Sequence, residues 1–315
     1  MRRAIARAPR ASVRASVRVL ALVLVLGLAL TAAAAQATSL QFCDATPTVD
    51  ARTLDRRLQL AAAARAQLVA SGAAMAVVSR SGLALQRWGQ RYSHAGLALA
   101  EHPQRPWAVR QLYFACEEGR PRLFDQGLAG FVAGLQDTAQ GYVSLLLLPA
   151  AAATTVSAHA LDETRALALL GASYSANAHA FSTRHQNCNQ WLIELLAAAL
   201  GGLPAHASTR QEAQQWLLQK GFEPTRFELG APWWRLAAAL VPWLHHDDHP
   251  DEDLAALRYR VTMPASIEAF VLQQLPGSSR IELCHNDRQV VVRRNGPPLP
   301  QPCRAEAGDE VIALD

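Results

Sequence analysis

The sequence is nearly devoid of lysine, and its start is devoid of acidic residues. Lys220 is the only lysine among 30 basic residues, and the first 18 positions hold six arginines but no aspartate or glutamate. Without those six arginines, 24 basic residues face 26 acidic ones, a net charge of about −2. A chain with this balance has no basic surplus for a polyanion, so we expect no nucleic-acid partner.

Long apolar runs are scarce as well. The clearest extends from Val19 to Ala35, directly after the arginines, and leads to Ala35-Gln36-Ala37. A basic start, an apolar run and a small-residue exit are the three parts of a secretory signal peptide. The alternative is a retained membrane anchor, but a spanning helix needs about 20 apolar residues. We therefore expect residues 1–37 to be removed, leaving a periplasmic or secreted bacterial protein without a membrane span.

Cysteine is present in an odd number. The five are Cys43, Cys116, Cys188, Cys284 and Cys303. Thiols tend to pair in an oxidising compartment, so at least one is left free. Cys284 and Cys303 flank a β-like segment with a turn signal at Asn295-Gly296, and we expect them to be bonded to each other. With Cys188 as the free thiol, a Cys43–Cys116 disulfide follows by elimination.

Apolar periodicity predicts an α+β fold, with an antiparallel sheet packed on helices. Strands are predicted at 74–78, 91–99, 107–115 and 142–149. Helices are predicted at 50–71, 161–170, 188–200, 208–219, 233–244 and 266–275, before a β-like tail. A change of texture after Leu203 divides the mature chain into a core, 38–203, and a helical and β-hairpin C-terminal extension, 204–315, packed on that core.

The segment around Cys188 points to thiol chemistry. Asn187 is a good N-cap, which places Cys188 in the first turn of a helix and at the start of its apolar stripe. Free N–H groups and the helix dipole stabilise a thiolate there and can hold an oxyanion. The sequence therefore predicts a nucleophile with a lowered pKa. The alternative is a small buried residue with no chemical role.

A thiol nucleophile needs a base, and His94 is the candidate. It lies in a predicted strand whose alternation puts Tyr92, His94 and Gly96 on one face. Small Ala95 and Gly96 would let another backbone or a substrate come close. Gln111, in the middle of the next strand, is expected to orient the imidazole, because a buried amide needs a partner.

These motifs resemble those of a known family. The order His94, Gln111, Cys188 resembles the circularly permuted branch of NlpC-type papain-like cysteine peptidases. More closely, the chain is similar to the exported bacterial domain-of-unknown-function family 2145. The matching stretches are FC at 42–43, GQRYSHAGLAL, VRQLYFAC, QNCNQW, DDHP and IELCH, with Cys303. This resemblance implies a permuted papain-like core, with Cys188 and His94 catalytic and Gln111 in the variable third place.

Two hypotheses follow. The first is an exported cysteine hydrolase or acyltransferase that acts on an amide or ester, such as a cell-wall peptide or a lipid-linked acyl group, without a cofactor. The second is a non-catalytic envelope or binding protein with the same fold. The loop HHDDHPDED, residues 245–253, carries groups that could bind a metal. A solvated charged loop is the favoured interpretation, so no metal ligand is assigned.

Overall fold

The computed structural model describes residues 49–204, 209–233, 235, 241 and 243–314. Its first half contains α1 (Ala51–Ser71), β1 (Met75–Ser81), β2 (Tyr92–Leu99), β3 (Ala108–Ala115), β4 (Arg120–Gly127), α2 (Leu128–Ala133), β5 (Gly141–Leu147), α3 (Ala150–Leu161) and α4 (Glu163–Ala168). The remainder contains α5 (Cys188–Leu200), α6 (Arg210–Gln219), β6 (Thr225–Glu228), α7 (Asp251–Ala255), β7 (Arg258–Val261), α8 (Pro264–Gln274), β8 (Ser279–His285), β9 (Gln289–Arg294) and β10 (Glu310–Ala313).

Eight strands form one antiparallel sheet in the order β10-β9-β8-β5-β1-β2-β3-β4, while β6 and β7 form a separate ribbon. Strands from both sides of Leu203 share the large sheet, because β8 pairs with β5 in the register Gly141↔His285. The fold is thus α+β, with a large antiparallel sheet packed with helices.

Helices cover both faces of the sheet. Residues such as Leu97 and Leu99 of β2 form one buried cluster with Trp191 and Leu195 of α5. Alternate positions, including Ala98, point to the other face, where they pack with residues of α1 and α2 such as Phe131. Both sides of most strands are buried, which explains why the sequence shows apolar runs rather than clean alternation.

Most of the predicted elements are present, but several observed elements are not predicted. Helices α2, α3 and α7 and strands β4, β6 and β7 are absent from the predictions, and the expected helix at 161–170 is wrong in its start. Asp162 ends α3 and caps α4, because its side chain accepts a hydrogen bond from the Arg165 N–H. The signal segment 1–37 and most of the predicted helix 233–244 lie outside the described residues.

The Cys284–Cys303 disulfide is confirmed, with a Cα–Cα distance of 5.9 Å. The hairpin turn between β8 and β9 falls at 286–288, whereas Asn295 ends β9 with a φ of 51°. Cys116 is also disulfide-bonded, and its predicted partner Cys43 lies outside the described residues. Cys188 is a free thiol. Within the described ranges, no helix has the length and apolar character needed to cross a membrane.

Candidate functional site

Helix α5 begins at Cys188, as its N-cap predicts. The Asn187 side chain accepts a hydrogen bond from the Gln190 N–H at 2.7 Å. Gln190 in turn donates to backbone carbonyls of the preceding loop, at His179, Ala180 and Ser182. The first turn of α5 is therefore fixed by amide side chains, which position the thiol without binding it.

Asn189 joins this first turn to the strand that carries His94. Its Nδ2 donates to the Ser93 carbonyl and to the Thr262 carbonyl, at 3.2 and 3.3 Å. Ser93 directly precedes His94, and Thr262 follows β7 in the C-terminal part of the chain. One buried amide thus connects the first turn of α5 to both halves of the protein.

His94 and Gln111 meet as the sequence predicts. The Gln111 Oε1 accepts a hydrogen bond from the His94 Nε2, and the Gln111 Nε2 donates to the Gln126 Oε1 at 2.9 Å. Because Gln126 uses the donor end of the Gln111 amide, the acceptor end faces the imidazole. The proton of a neutral His94 ring therefore lies on Nε2, and Nδ1 carries the lone pair that a base needs.

Gly96 allows the two strands to come close, as the sequence predicts. A Cβ built on Gly96 would lie 2.9 Å from the Arg110 carbonyl oxygen and 3.2 Å from the Gln111 Cβ. The ladder between β2 and β3 covers only Leu97–Leu99 and Ala108–Arg110. The regular ladder therefore stops at Leu97, and beyond it His94 and Gln111 contact each other through their side chains.

Arg80 is a charged group beside His94. It lies opposite His94 in the β1–β2 register, and its Nη1 donates to the Gly134 carbonyl. The guanidinium carbon is 5.5 Å from the centre of the Phe131 ring. Its charge acts on both candidate residues, since it lowers the pKa of His94 and the pKa of Cys188.

The pKa of the thiol runs against the sequence prediction. Burial raises the pKa of Cys188 to about 11, although Arg80 and the N–H groups of Asn189 and Cys188 act in the opposite direction. Burial, reinforced by Arg80, lowers the pKa of His94 to about 3. The expected low-pKa thiolate is therefore wrong for the resting protein: desolvation outweighs the helix N-terminus, and the resting pair is a neutral thiol and a neutral imidazole.

The two candidate residues belong to different packing environments. The His94 ring lies 5.7 Å, centre to centre, from Phe131 of α2. Cys188 packs against the cluster of α5 on the other face of the sheet. Both are half-buried. Among the described residues, no hydrogen bond joins the Cys188 Sγ to the His94 ring, and their approach to within about 3 to 4.5 Å stays a prediction.

The histidines of the loop at residues 245–253 make two kinds of contact. The rings of His246 and His249 turn inward, where they contact the Tyr259 hydroxyl and the Asn177 carbonyl. Helix α7 begins after Pro250, so these two rings do not share a helical face. His245 and Asp247 instead lie beside His185, which comes from the segment that leads into α5.

A family model of uncharacterized proteins conserved in bacteria, DUF2145, matches residues 67–271. The chain belongs to this family. The DUF2145 match contains His94, Gln111 and Cys188, and it extends from α1 into α8. No curated protein and no solved structure matches the chain.

Three polar residues of the site escape the sequence prediction. Gln126 lies in β4, an edge strand whose polar and exposed residues give no periodic signal. Arg80 follows the apolar run of β1, at the point where the predicted strand ends. Asn189 is adjacent to Cys188, and this position just after an N-cap is the one feature of the sequence that points to it. Only the contacts that these three residues make with residues distant in sequence identify them as part of the site.

Proposed function

We propose that the protein is an exported cysteine hydrolase or acyltransferase of the permuted papain-like class. The observation that supports it is the hydrogen-bonded series His94, Gln111 and Gln126. Gln126 accepts from the Gln111 amide, Gln111 accepts a hydrogen bond from the His94 Nε2, and Nδ1 is left as the ring nitrogen that can act as a base.

In the proposed reaction the Cys188 Sγ attacks the carbonyl carbon of an amide or ester. The thiol proton passes to the His94 Nδ1 as the C–S bond forms, and the Cys188 N–H helps to hold the oxyanion. His94 then gives this proton to the leaving amine or alcohol as its bond to the acyl carbon breaks. Water, or an acceptor amine or alcohol, attacks the resulting thioester, and the thiol is restored.

The charge state of the resting pair determines how this proton moves. A thiol with a pKa of about 11 and an imidazole with a pKa of about 3 remain neutral at pH 7. Proton transfer therefore accompanies attack on the substrate, as in general-base catalysis, instead of preceding it as a stable ion pair. Arg80 has opposite effects on this step, because its charge stabilises negative charge on sulfur and destabilises the imidazolium form of His94.

Export is supported by three observations of different kinds. The start of the sequence has the three parts of a signal peptide. The Cys284–Cys303 disulfide is compatible with an oxidising compartment. The family is described as bacterial. In that compartment, cell-wall peptides and lipid-linked acyl groups are the amides and esters that we propose as substrates.

Acyl transfer to Cys188 tests this proposal. At pH 7 roughly one in 10⁴ thiols with such a pKa is ionised, so uncatalysed acylation is slow. Purified protein would be mixed with short- and long-chain p-nitrophenyl esters and with muramyl peptides, and adducts would be located by intact-mass and peptide mass spectrometry. We expect one adduct on Cys188, absent in Cys188→Ser and slower by about 10²- to 10⁴-fold in His94→Ala.

His159→Ala is the matched control, because His159 is a half-buried histidine of α3 whose ring contacts the Thr155 carbonyl and Arg165 and lies outside the candidate site. This variant should acylate at the wild-type rate. The proposal would be overturned if His94→Ala acylated as fast as the wild type, since Cys188 would then react as an ordinary thiol. It would also fail if no substrate of the panel formed a Cys188 adduct.

One observation favours the second candidate, a non-catalytic binding protein. A raised thiol pKa and a lowered imidazole pKa are what burial alone produces in side chains with a packing role. A folded protein that forms no adduct, and in which Cys188→Ser and His94→Ala are less stable than the wild type, would support this alternative.

A further inference from the structure

A group of metal-ligating side chains lies outside the candidate site. His185 is buried in the segment before α5, whereas His245 and Asp247 come from the loop before α7. One donor atom from each of these three residues lies within 4.8 Å of the other two. Two imidazoles and a carboxylate are a usual ligand set for zinc in sites where water takes the fourth position.

The His185 ring is oriented as a metal ligand would be. The Ser173 Oγ lies 2.8 Å from the His185 Nδ1, and the other nitrogen, Nε2, faces the Asp247 Oδ1 at 2.9 Å. Histidine ligands of metals generally hydrogen-bond through the nitrogen that does not bind the ion, which fixes the ring and its tautomer. Ser173 supplies such a contact and directs Nε2 toward Asp247.

His245 is held by its backbone and not by its ring. The His245 N–H donates to the Ser175 Oγ at 3.0 Å and to the Asn177 Oδ1 at 3.2 Å. Its ring stacks on the His185 ring with centres 4.4 Å apart and planes 12° apart. In the part of the chain that the structure describes, the His245 ring makes no hydrogen bond. Its nitrogens are therefore available to a ligand while the backbone stays in place.

The two carboxylate oxygens of Asp247 contact two different residues. Arg184 occupies Oδ2 at 2.5 Å, and Oδ1 faces His185. Tetrahedral zinc with Zn–N distances of about 2.0–2.1 Å separates its ligand atoms by about 3.3 Å. The 2.9 Å between His185 and Asp247 needs only a small widening, and a rotation of the His245 ring brings in the third ligand.

We propose that His185, His245 and Asp247 bind one divalent zinc-type ion, with water completing its coordination. The ion joins the segment that leads into α5 to the loop before α7. His185 precedes Cys188 by three positions, so the ion also restrains the chain next to the candidate nucleophile. This site does not depend on the proposed cysteine chemistry.

The test uses untagged, metal-free protein and Zn²⁺ in competition with a chromophoric chelator. We expect one equivalent to bind, and Co²⁺ to give the intense visible bands of a four-coordinate site. His245→Ala and Asp247→Asn should each weaken binding by at least about 10-fold. Zn²⁺ should raise the melting temperature of the wild type but not of His245→Ala, because only a bound ion stabilises the native state.

Two controls keep the proposal falsifiable. His159→Ala removes a histidine of α3 and should retain full affinity, and Cys188→Ser should also retain it because the thiol is not one of the ligands. The proposal is overturned if stoichiometric Zn²⁺ is not taken up by the wild type. It is equally overturned if His245→Ala binds as tightly as His159→Ala, or if Cys188→Ser abolishes binding.

Discussion

His94 and His185 each have a polar partner on Nε2, and the two partners give the rings different chemistry. His94 faces a neutral amide, Gln111, and stands near the positive charge of Arg80. His185 faces a carboxylate, Asp247, beside solvent. Burial and the charge of Arg80 lower the pKa of His94, and the hydrogen bond to Gln111 acts in the opposite direction. The comparison is thus between a ring with a neutral amide partner and a ring whose partner is an exposed carboxylate.

Gln111→Glu tests this comparison most strongly, because it gives His94 the kind of partner that His185 has. A carboxylate next to the ring should raise the pKa of His94 by about 1–3 units. NMR titration of the ring protons would measure the shift. The acylation rate should then decrease at low pH, where the base becomes protonated. Gln111→Met keeps the volume without the charge, and a Glu variant that titrates like the Met variant would contradict the prediction.

Gly96→Ala should have the next largest effect, since it forces β2 and β3 apart. The added Cβ would meet the Arg110 carbonyl, which cannot move without the strand. We expect the free energy of unfolding to fall by about 1–3 kcal/mol, together with slower acylation as Gln111 leaves His94. Gly89→Ala is a poor control because its φ is 70°. Gly127→Ala serves better, because a Cβ there would meet only the flexible Arg105 side chain, at 3.4 Å. Urea denaturation of both variants measures the difference.

Gln126→Ala should have a smaller effect, because it loosens Gln111 without removing it. A Gln111 amide that is free to flip would present its NH₂ group to the His94 Nε2 for part of the time. The loss of one hydrogen bond, about 1 kcal/mol, corresponds to roughly a fivefold slower acylation. Gln126→Glu keeps an acceptor for the Gln111 amide and should restore most of the rate. Equal rates in the Ala variant and the wild type would remove Gln126 from the site.

The pH dependence of stability should give the smallest effect near neutral pH, because both groups are uncharged there in the folded protein. The folded protein resists protonation of His94, whose pKa is lowered from 6.5 to about 3, so this histidine destabilises the fold as pH falls from 6.5 toward 3. It also resists ionisation of Cys188, whose pKa is raised from 9.0 to about 11, so stability falls as pH rises above 9.

Melting curves of His94→Gln and Cys188→Ser, compared with the wild type across pH, isolate these two contributions. The first variant should flatten the acid side and the second the alkaline side. The comparison between variants is needed because other buried histidines act on the acid side as well, among them His179 with a pKa lowered to about 4. Curves that remain parallel to the wild type at all pH values would contradict the assignment.

The features that the sequence predicts well depend on residues that lie close together in the chain. The start of α5 depends on Asn187 and on the apolar spacing that follows, both of which lie within a few residues. The Cys284–Cys303 pair flanks a single hairpin, so its proximity is also a local matter. The His94–Gln111 contact follows from two adjacent strands joined by a short connection.

What the sequence does not predict depends on distant parts of the chain. The direction of the Cys188 pKa shift is set by burial, which a helix N-terminus does not reveal. Helix α3 is rich in alanine, with threonine and serine in place of charges, and so lacks the polar face that marks a helix. His185 and Asp247 lie 62 positions apart and meet only because the loop before α7 folds back on the core.

The pairing of β5 with β8 joins parts of the chain that are far apart in sequence, so the large sheet is completed late in folding. Gly141 lies opposite His285, so the middle of the large sheet stays incomplete until nearly the whole chain has been synthesised. Closing such a long loop is slow, so this pairing completes the sheet late. The proposed export would benefit from this delay, because a polypeptide that crosses a membrane unfolded must not complete its sheet beforehand.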